Sequence, residues 1–320
     1  MIASSLLEGF RERASGLARS SPFWARALLP LTNAYRALTG DSRKLKLPKE
    51  IALAAANLRA RRIDGFVVNE EMAARQDQGI AVAMRHFFTT VGVCPAMSVE
   101  TIAGHVAQYR RLYANAPIAQ NDYGMNFPGG LALFVIVRCL SPQLIVESGV
   151  YKGLSSYFLA QAAPKARIMA FDPSFAELRH RTPGVDYHRC DWTQVDLSCE
   201  GDGLAFFDDH VSHAQRVIEA HRRGFRRLVL DDSWPIEAIF GCGTPPAPSI
   251  DMIMADDLAI GSTVTWVEGG ALHNYVHTSE MHRLCAQARA LIKSAHDVPS
   301  LYRQTAIAPS SALKFVELTL

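Results

Sequence analysis

Five short apolar runs in this chain end on a carboxylate. Leu144-Ile-Val146 meets Glu147, Arg167–Phe171 meets Asp172, and Val185–His188 leads to Asp191. Gly203–Phe207 meets Asp208, and Leu228–Leu230 meets Asp231. The last two ends are dense: Asp208-Asp-His-Val-Ser-His213 follows one, and Asp231-Asp232 closes the other. Carboxylates clustered with imidazole suit an oxygen-rich divalent cation site for Mg2+ or Ca2+, with Asp208, Asp231 and Asp232 as ligands. Without a metal, His210 could act as general base, because imidazole titrates close to neutral pH, with Asp208 and Asp231 beside it. A third reading is structural: Asp209 and Ser212 cap the following helix and His213 stands in solvent.

The first run feeds Glu147-Ser-Gly-Val-Tyr-Lys-Gly-Leu-Ser-Ser156. Gly149 and Gly153 permit a tight turn and a close backbone approach to a ligand. Their spacing is G-x-x-x-G, and the dinucleotide fingerprint G-x-G-x-x-G is absent at this junction. Asp172 lies nineteen residues after Gly153, where a carboxylate can accept both hydroxyls of a ribose. Asp191 is placed to meet an adenine amino group, and Trp192 or Phe171 could flank the ring or simply pack in the core.

Something must hold these ends together. Unalternating apolar runs separated by helical stretches (157–163 and 212–223) are what a parallel sheet covered on both faces requires. The expected fold is therefore α/β, a doubly wound, mostly parallel, Rossmann-like sheet, with ligands beyond the carboxyl ends of its strands. Residues 1–116 read as a helical N-terminal region, and 117–320 as the sheet domain. Within the first, Ser98-x-x-Thr101 with Glu100 opens a helix carrying Ile102, Val106, Tyr109 and Leu112 on one side. The alternating tail 313–320 is expected to pair with Thr263–Val267 as an antiparallel edge. Asp122–Gly129 and the Gly/Pro-rich Gly241–Pro248 are expected to wall the crevice.

Taken in order, Leu144–Ser155, Phe171-Asp-Pro173, Tyr187–Asp191, Phe206–His210 and Gly224–Asp232 resemble the class I S-adenosylmethionine-dependent methyltransferases. The likeness is to the bacterial branch related to cephalosporin-hydroxylase-like and small-molecule O-methyltransferases, and covers roughly residues 120–235. It implies S-adenosylmethionine as cofactor, bound by Glu147, Gly149, Gly153, Ser155, Asp172 and Asp191. In it Glu147 and Gly149 border the methionine part, Asp172 the ribose and Asp191 the adenine. It also implies methyl transfer to oxygen of a small molecule or sugar, with Mg2+ as a companion ion. Many relatives follow the fourth strand with Asp-Gly-Asp-His and an aromatic residue; this chain has His213 near the aromatic position.

Composition narrows the alternatives. With 320 residues, 49% hydrophobic and 20% charged, the chain is neither disordered nor collagen-like. A net charge of +2 gives no case for a nucleic-acid partner. Cysteines at 94, 139, 190, 199, 242 and 285 contain no C-x-x-C and read as buried fillers in a reduced, cytoplasmic setting. The longest apolar run, Leu131–Leu140, is interrupted by Arg138 and too short to span a membrane. Residues 1–62 hold twelve basic against four acidic residues, interleaved with Leu, Phe and Trp. That arm could touch an anionic membrane surface, pack on its own domain, or join a homodimer. The competing functional reading is thus a non-methylating metal-dependent or binding protein on the same scaffold, docked by this arm.

Overall fold

A computed structural model describes residues 70–118, 124–241, 244–268 and 270–319. The basic arm 1–62 and the residues Asp122 and Cys242 lie outside the described residues. The chain divides into two compact units, Met1–Ala73 and Ala74–Leu320, and the elements below lie in the second apart from the first four residues of the first helix.

Three helices come first: α1 (Glu70–Val91), α2 (Val99–Ala114) and α3 (Phe127–Leu140). Ser98 caps α2 by accepting a hydrogen bond from the Thr101 N–H at 3.2 Å, and Ile102, Val106 and Tyr109 turn inward. Pro128 sits in the first turn of α3, where a missing N–H costs nothing. Phe127 through Val137 are all buried, because a helix apolar on every side needs cover on every side. The helix thus begins inside Asn126–Gly130, a stretch that reads in the sequence as punctuation.

Strands β1 (Leu144–Ser148), β2 (Arg167–Phe171), β3 (Val185–His188), β4 (Gly203–Phe207) and β5 (Arg227–Leu230) are mutually parallel. Helix α4 (Leu154–Ala162) joins β1 to β2, and α5 (His213–Arg222) joins β4 to β5. Beyond them come α6 (Ile250–Ala255), β6 (Thr263–Glu268), β7 (Ala271–Val276), α7 (Ser279–Leu291), β8 (Ile292–Asp297), α8 (Tyr302–Thr305) and β9 (Lys314–Leu318). The main sheet runs β3-β2-β1-β4-β5-β9-β8, so the fold is doubly wound α/β, as the apolar runs require.

Alternation along each strand sorts the core into two layers. Ile145, Ile168, Leu204, Phe206, Val229 and Phe315 pack with α1 to α4. Val146, Met169, Ala205, Phe207, Leu228 and Val316 pack with α5 and α7.

The tail does not pair with Thr263–Val267. β9 enters the main sheet antiparallel between β5 and β8, burying Phe315, Val316 and Leu318. β6 pairs instead with its neighbour β7 in a separate hairpin, Thr263 opposite Val276 and Glu268 opposite Ala271. Closure between two strands adjacent in the sequence costs less chain entropy than a pairing some fifty residues away. Phe315 and Val316, on opposite faces of β9, are both covered there.

The β1–α4 turn depends on Gly149, at φ +94. A Cβ there would lie 2.0 Å from the Asp208 carbonyl oxygen. The close approach this glycine permits is to the end of β4 itself. Gly149→Ala is expected to destabilise the fold by about 3 kcal/mol or more, from left-handed strain plus a backbone clash. A denaturant midpoint equal to that of the parent protein would contradict this.

Candidate active site

Glu147, the fourth residue of β1, is wholly buried. Its Oε2 accepts a hydrogen bond from Ser156 Oγ at 2.5 Å, and Ser155 also bonds the carboxylate. Oε1 is buried and has no hydrogen-bond partner. Burial pushes this carboxyl up to about 7, against the two serines, with the nearby Asp172 charge adding to the rise. Asp172, just past β2, reaches back to the same turn. Its Oδ2 accepts from the Val150 and Tyr151 N–H groups at 3.1 and 3.2 Å, and its Oδ1 from the Ser174 N–H at 2.8 Å. Gly149 N–H donates to the Phe171 carbonyl at 2.9 Å. The β1 and β2 ends are thus one hydrogen-bonded unit.

A second unit joins the ends of β3 and β4 through Arg216 on α5, whose side chain is 1% exposed. Its guanidinium contacts Asp191 Oδ2 at 2.6 Å, Asp209 Oδ2 at 2.8 Å and Glu219 Oε2 at 2.7 Å. It also lies over the Phe207 ring, 5.7 Å from the centroid. Asp191 further accepts from the Thr193 N–H at 2.8 Å, capping a short 3₁₀ turn. These bonds outweigh burial and hold its carboxyl below the usual range. Trp192 is buried and donates from Nε1 to Glu219 Oε2 at 3.2 Å.

The third unit is acidic. Asp208, His210 and Asp232 each present a ligand atom, all within 4.8 Å of one another. Asp231 is buried beside them, accepting from the Asp232 N–H at 2.8 Å and from Ser311. Burial and the Asp232 charge push Asp231 up to about 7. Lost hydration, with negative charge on Asp231, Asp232, Asp209 and Glu147, holds the Asp208 carboxyl well above its ordinary range. His210, at φ +57, points Nδ1 at the Thr244 carbonyl 2.7 Å away and lies 3.6 Å from Asp232 Oδ2. That bond puts the proton on Nδ1 and the lone pair on Nε2.

His213 is not in solvent. It is buried, its Nδ1 accepts from the Ile250 N–H at 3.1 Å, and its other nitrogen bonds the Asp231 carbonyl. Burial pushes it down to about 3, so it stays neutral and pins the 246–250 segment to the end of β5.

The structure therefore gathers the sequence candidates into three groups at one rim: Glu147, Gly149, Ser155 and Asp172; Asp191 with Asp209; and Asp208, His210, Asp231 and Asp232. Gly153 starts α4 at φ +92, where a Cβ would meet the His180 carbonyl oxygen at 2.3 Å. Ser156, Arg216, Thr244 and Ser311 hold the site and were not singled out from sequence. Only Arg216 left a signal there: a basic residue three before Glu219 on the helix after the most acidic strand end. A cavity of about 640 Å³ lies elsewhere, at the opposite ends of β4 and β5, lined by Cys199, Asp202, His221, Phe225 and Arg227.

The donors suit two kinds of guest. Two carboxylates and an imidazole form a hard, mostly oxygen set for a divalent cation. The unpaired Glu147 Oε1 is an acceptor suited to a cationic N–H donor.

No protein-family model matches the chain, and no curated protein matches it. Similar solved structures include the O-methyltransferase TomG of Streptomyces achromogenes, from tomaymycin synthesis, in complex with S-adenosylmethionine. The likeness has 15% identity over 68% of this chain and 89% of that one, with a TM-score of 0.37. A putative O-methyltransferase of Klebsiella pneumoniae is 12% identical over 67% of this chain and 90% of that one, TM-score 0.40. CmcI with Mg and S-adenosylmethionine is 12% identical over 66% and 84%, TM-score 0.38. At these values the likenesses carry no functional argument. The α/β fold rests on the sheet order, and among the described residues no helix is long and apolar enough to cross a membrane.

Two outcomes follow from the geometry. Arg216→Met leaves three carboxylates without their cation and is expected to cost about 3–5 kcal/mol in denaturant unfolding, with R216K recovering part. Glu147 keeps its proton to higher pH folded than unfolded, so the folded state binds more protons between about pH 4.5 and 7. Its contribution is fully present below about 4.5 and is lost as pH rises through 7. Glu147→Gln should therefore be the more stable form at pH 8, by about 2–3 kcal/mol, and the gap should close towards pH 4.5. Parallel stability–pH curves would refute the assignment.

Proposed function

We propose that this protein is an S-adenosylmethionine-dependent methyltransferase acting on a hydroxyl oxygen of a small molecule. The observation that carries the reading is the Glu147 carboxylate: fully buried, one oxygen unpaired, at the carboxyl end of the interior strand β1 where the glycine turn begins. The ordered resemblance of residues 120–235 to class I methyltransferases supports it, as does the placement of Asp172 and Asp191 at the next two strand ends. S-adenosylmethionine, when bound, supplies a methyl group on a positively charged sulfonium.

The chain's own residues would then do three things. Glu147 and the Gly149 turn, tied down by Asp172, would take the amino-acid end of the donor, with Ser155 and Gly153 supporting that turn. Asp172 and Asp191 would border the ribose and adenine, Asp191 held in place by Arg216. His210 would accept the hydroxyl proton at Nε2, its ring set by the Thr244 carbonyl. Asp208 and Asp232 would hold a cation such as Mg2+, which would lower the pKa of a hydroxyl beside it. Asp231 would position Asp232 through the latter's N–H.

Calorimetry tests the reading. S-adenosylmethionine and S-adenosylhomocysteine should bind with micromolar affinity, and Asp172→Ala should weaken both at least tenfold while keeping its far-UV circular dichroism. Absence of binding at millimolar ligand would sink the proposal. Asp208→Asn and Asp232→Asn should each lower Mn2+ affinity by tenfold or more, measured by calorimetry without any methyl acceptor. Equal affinity in both variants would remove the cation from the account.

A further inference from the structure

Cys94 lies in the connection between α1 and α2 in left-handed backbone, φ +49. Several hydrogen bonds hold that connection. Val93 N–H donates to the Phe88 carbonyl at 3.0 Å, and Met97 N–H to the Cys94 carbonyl at 3.0 Å. Arg85 Nη2 donates to the Pro95 carbonyl at 3.0 Å. The Cys94 thiol is thereby aimed at the last turn of α3. There its Sγ donates to the Cys139 carbonyl oxygen at 3.1 Å, one of the helix-end carbonyls that has no partner within the helix. That bond brings the two cysteines together across 45 residues of sequence, with the Cys139 thiol close enough to favour charge on the Cys94 sulfur. Both thiols are free and half-buried. Cys199, in contrast, is buried and donates to the Gly201 carbonyl.

We propose that Cys94 and Cys139 form a peroxide-sensitive pair that closes into an intramolecular disulfide, with Cys94 as the attacking thiol and Cys139 as the resolving one. The hydrogen bond from Cys139 and the nearby Arg227 charge, acting against burial, bring the Cys94 thiol down to about 7. Cys139 moves the other way, because it serves as the donor to the Cys94 sulfur and faces its charge. The chemistry balances in two steps. The Cys94 thiolate attacks one oxygen of a hydroperoxide, the O–O bond breaks, and Cys94 becomes a sulfenic acid while hydroxide, or an alkoxide, leaves. The Cys139 thiol then displaces the sulfenic oxygen, which departs as water carrying the Cys139 proton. Sulfur loses two electrons overall and the peroxide gains them. The loss of negative charge at Cys94 in the first step frees Cys139 to react in the second.

The bond would fasten the α1–α2 connection to the end of α3, at the edge of the sheet where β1 begins. That is the end of β1 opposite Glu147. The inference does not rest on the methyltransferase reading, and its test uses neither donor nor acceptor.

The experiment treats the full reduced protein with one equivalent of hydrogen peroxide and maps tryptic peptides without reductant. The expected product links the peptide His86–Arg110 to Cys139–Lys152, about 2 Da lighter than the two together, and dithiothreitol separates them. Cys139→Ala removes both the resolving thiol and the hydrogen bond that activates Cys94, and should give no linked peptide. In the parent protein, dimedone present during the peroxide treatment should label Cys94 at least tenfold faster than Cys190, the other described half-buried thiol outside the pair. Cys94→Ala should give no linked peptide, and should slow modification of Cys139 by tenfold or more. The parent protein's map stands alone if either variant fails to fold. No 94–139 link in the parent protein, or dimedone labelling of Cys94 no faster than Cys190, would overturn the proposal.

Discussion

Arg216 is the interaction on which the geometry of the acidic rim depends. One guanidinium, almost wholly out of water, is shared among Asp191 after β3, Asp209 after β4 and Glu219 on its own helix. Loops at strand ends are ordinarily the most mobile parts of an α/β sheet, since few apolar contacts restrain them. Here two of them are tied to the same buried cation. The desolvation cost of an isolated buried charge is large, and it is offset only because every carboxylate in the network is itself hydrogen-bonded. Asp209 fixed in this way sets the path of the chain between Asp208 and His210, and Asp191 is fixed by the same group.

The neighbouring carboxylates are under the opposite regime. Glu147, Asp208 and Asp231 share the sheet's carboxyl rim with, among the described residues, no buried cation beside them. Each is pushed upward by lost hydration and by the negative charge of neighbouring acids, Asp208 by the largest number of them. Such crowding disfavours folding at neutral pH unless positive charge arrives from outside, as a metal ion or as a cationic ligand. One fold thus holds two kinds of acid: those neutralised internally, which orient the loops, and those left in excess, which are poised for a guest. This is the electrostatic pattern that binding and catalytic sites share.

Much of the framework was legible in the residues. Wholly apolar runs such as Leu144-Ile-Val146 and Leu228-Val-Leu230 fit only strands covered on both faces, and their acidic ends mark one rim. The Ser98 cap and the Ile102/Val106/Tyr109 stripe define α2 locally. The tail was not legible, because alternation in 313–320 says that a strand exists and not which edge receives it. Gly269-Gly270 carried a hairpin signal that outweighs the longer-range pairing. His213 was misread for a related reason: histidine spacing does not disclose burial, which here comes from the 246–250 segment folding across it.

The sequence by itself determined the five parallel strands, the doubly wound class and the set of acidic strand ends, because these follow from periodicity and from residue type at element boundaries. Only the tertiary structure decided how those acids divide. Asp191 and Asp209 go to Arg216; Asp172 goes to the backbone of the glycine turn; Asp208 and Asp232 meet His210; Glu147 is left with an unpaired oxygen. The division is set by distances of about 3 Å between residues far apart in the chain, and by the hydration each loses, neither of which a linear order of side chains encodes.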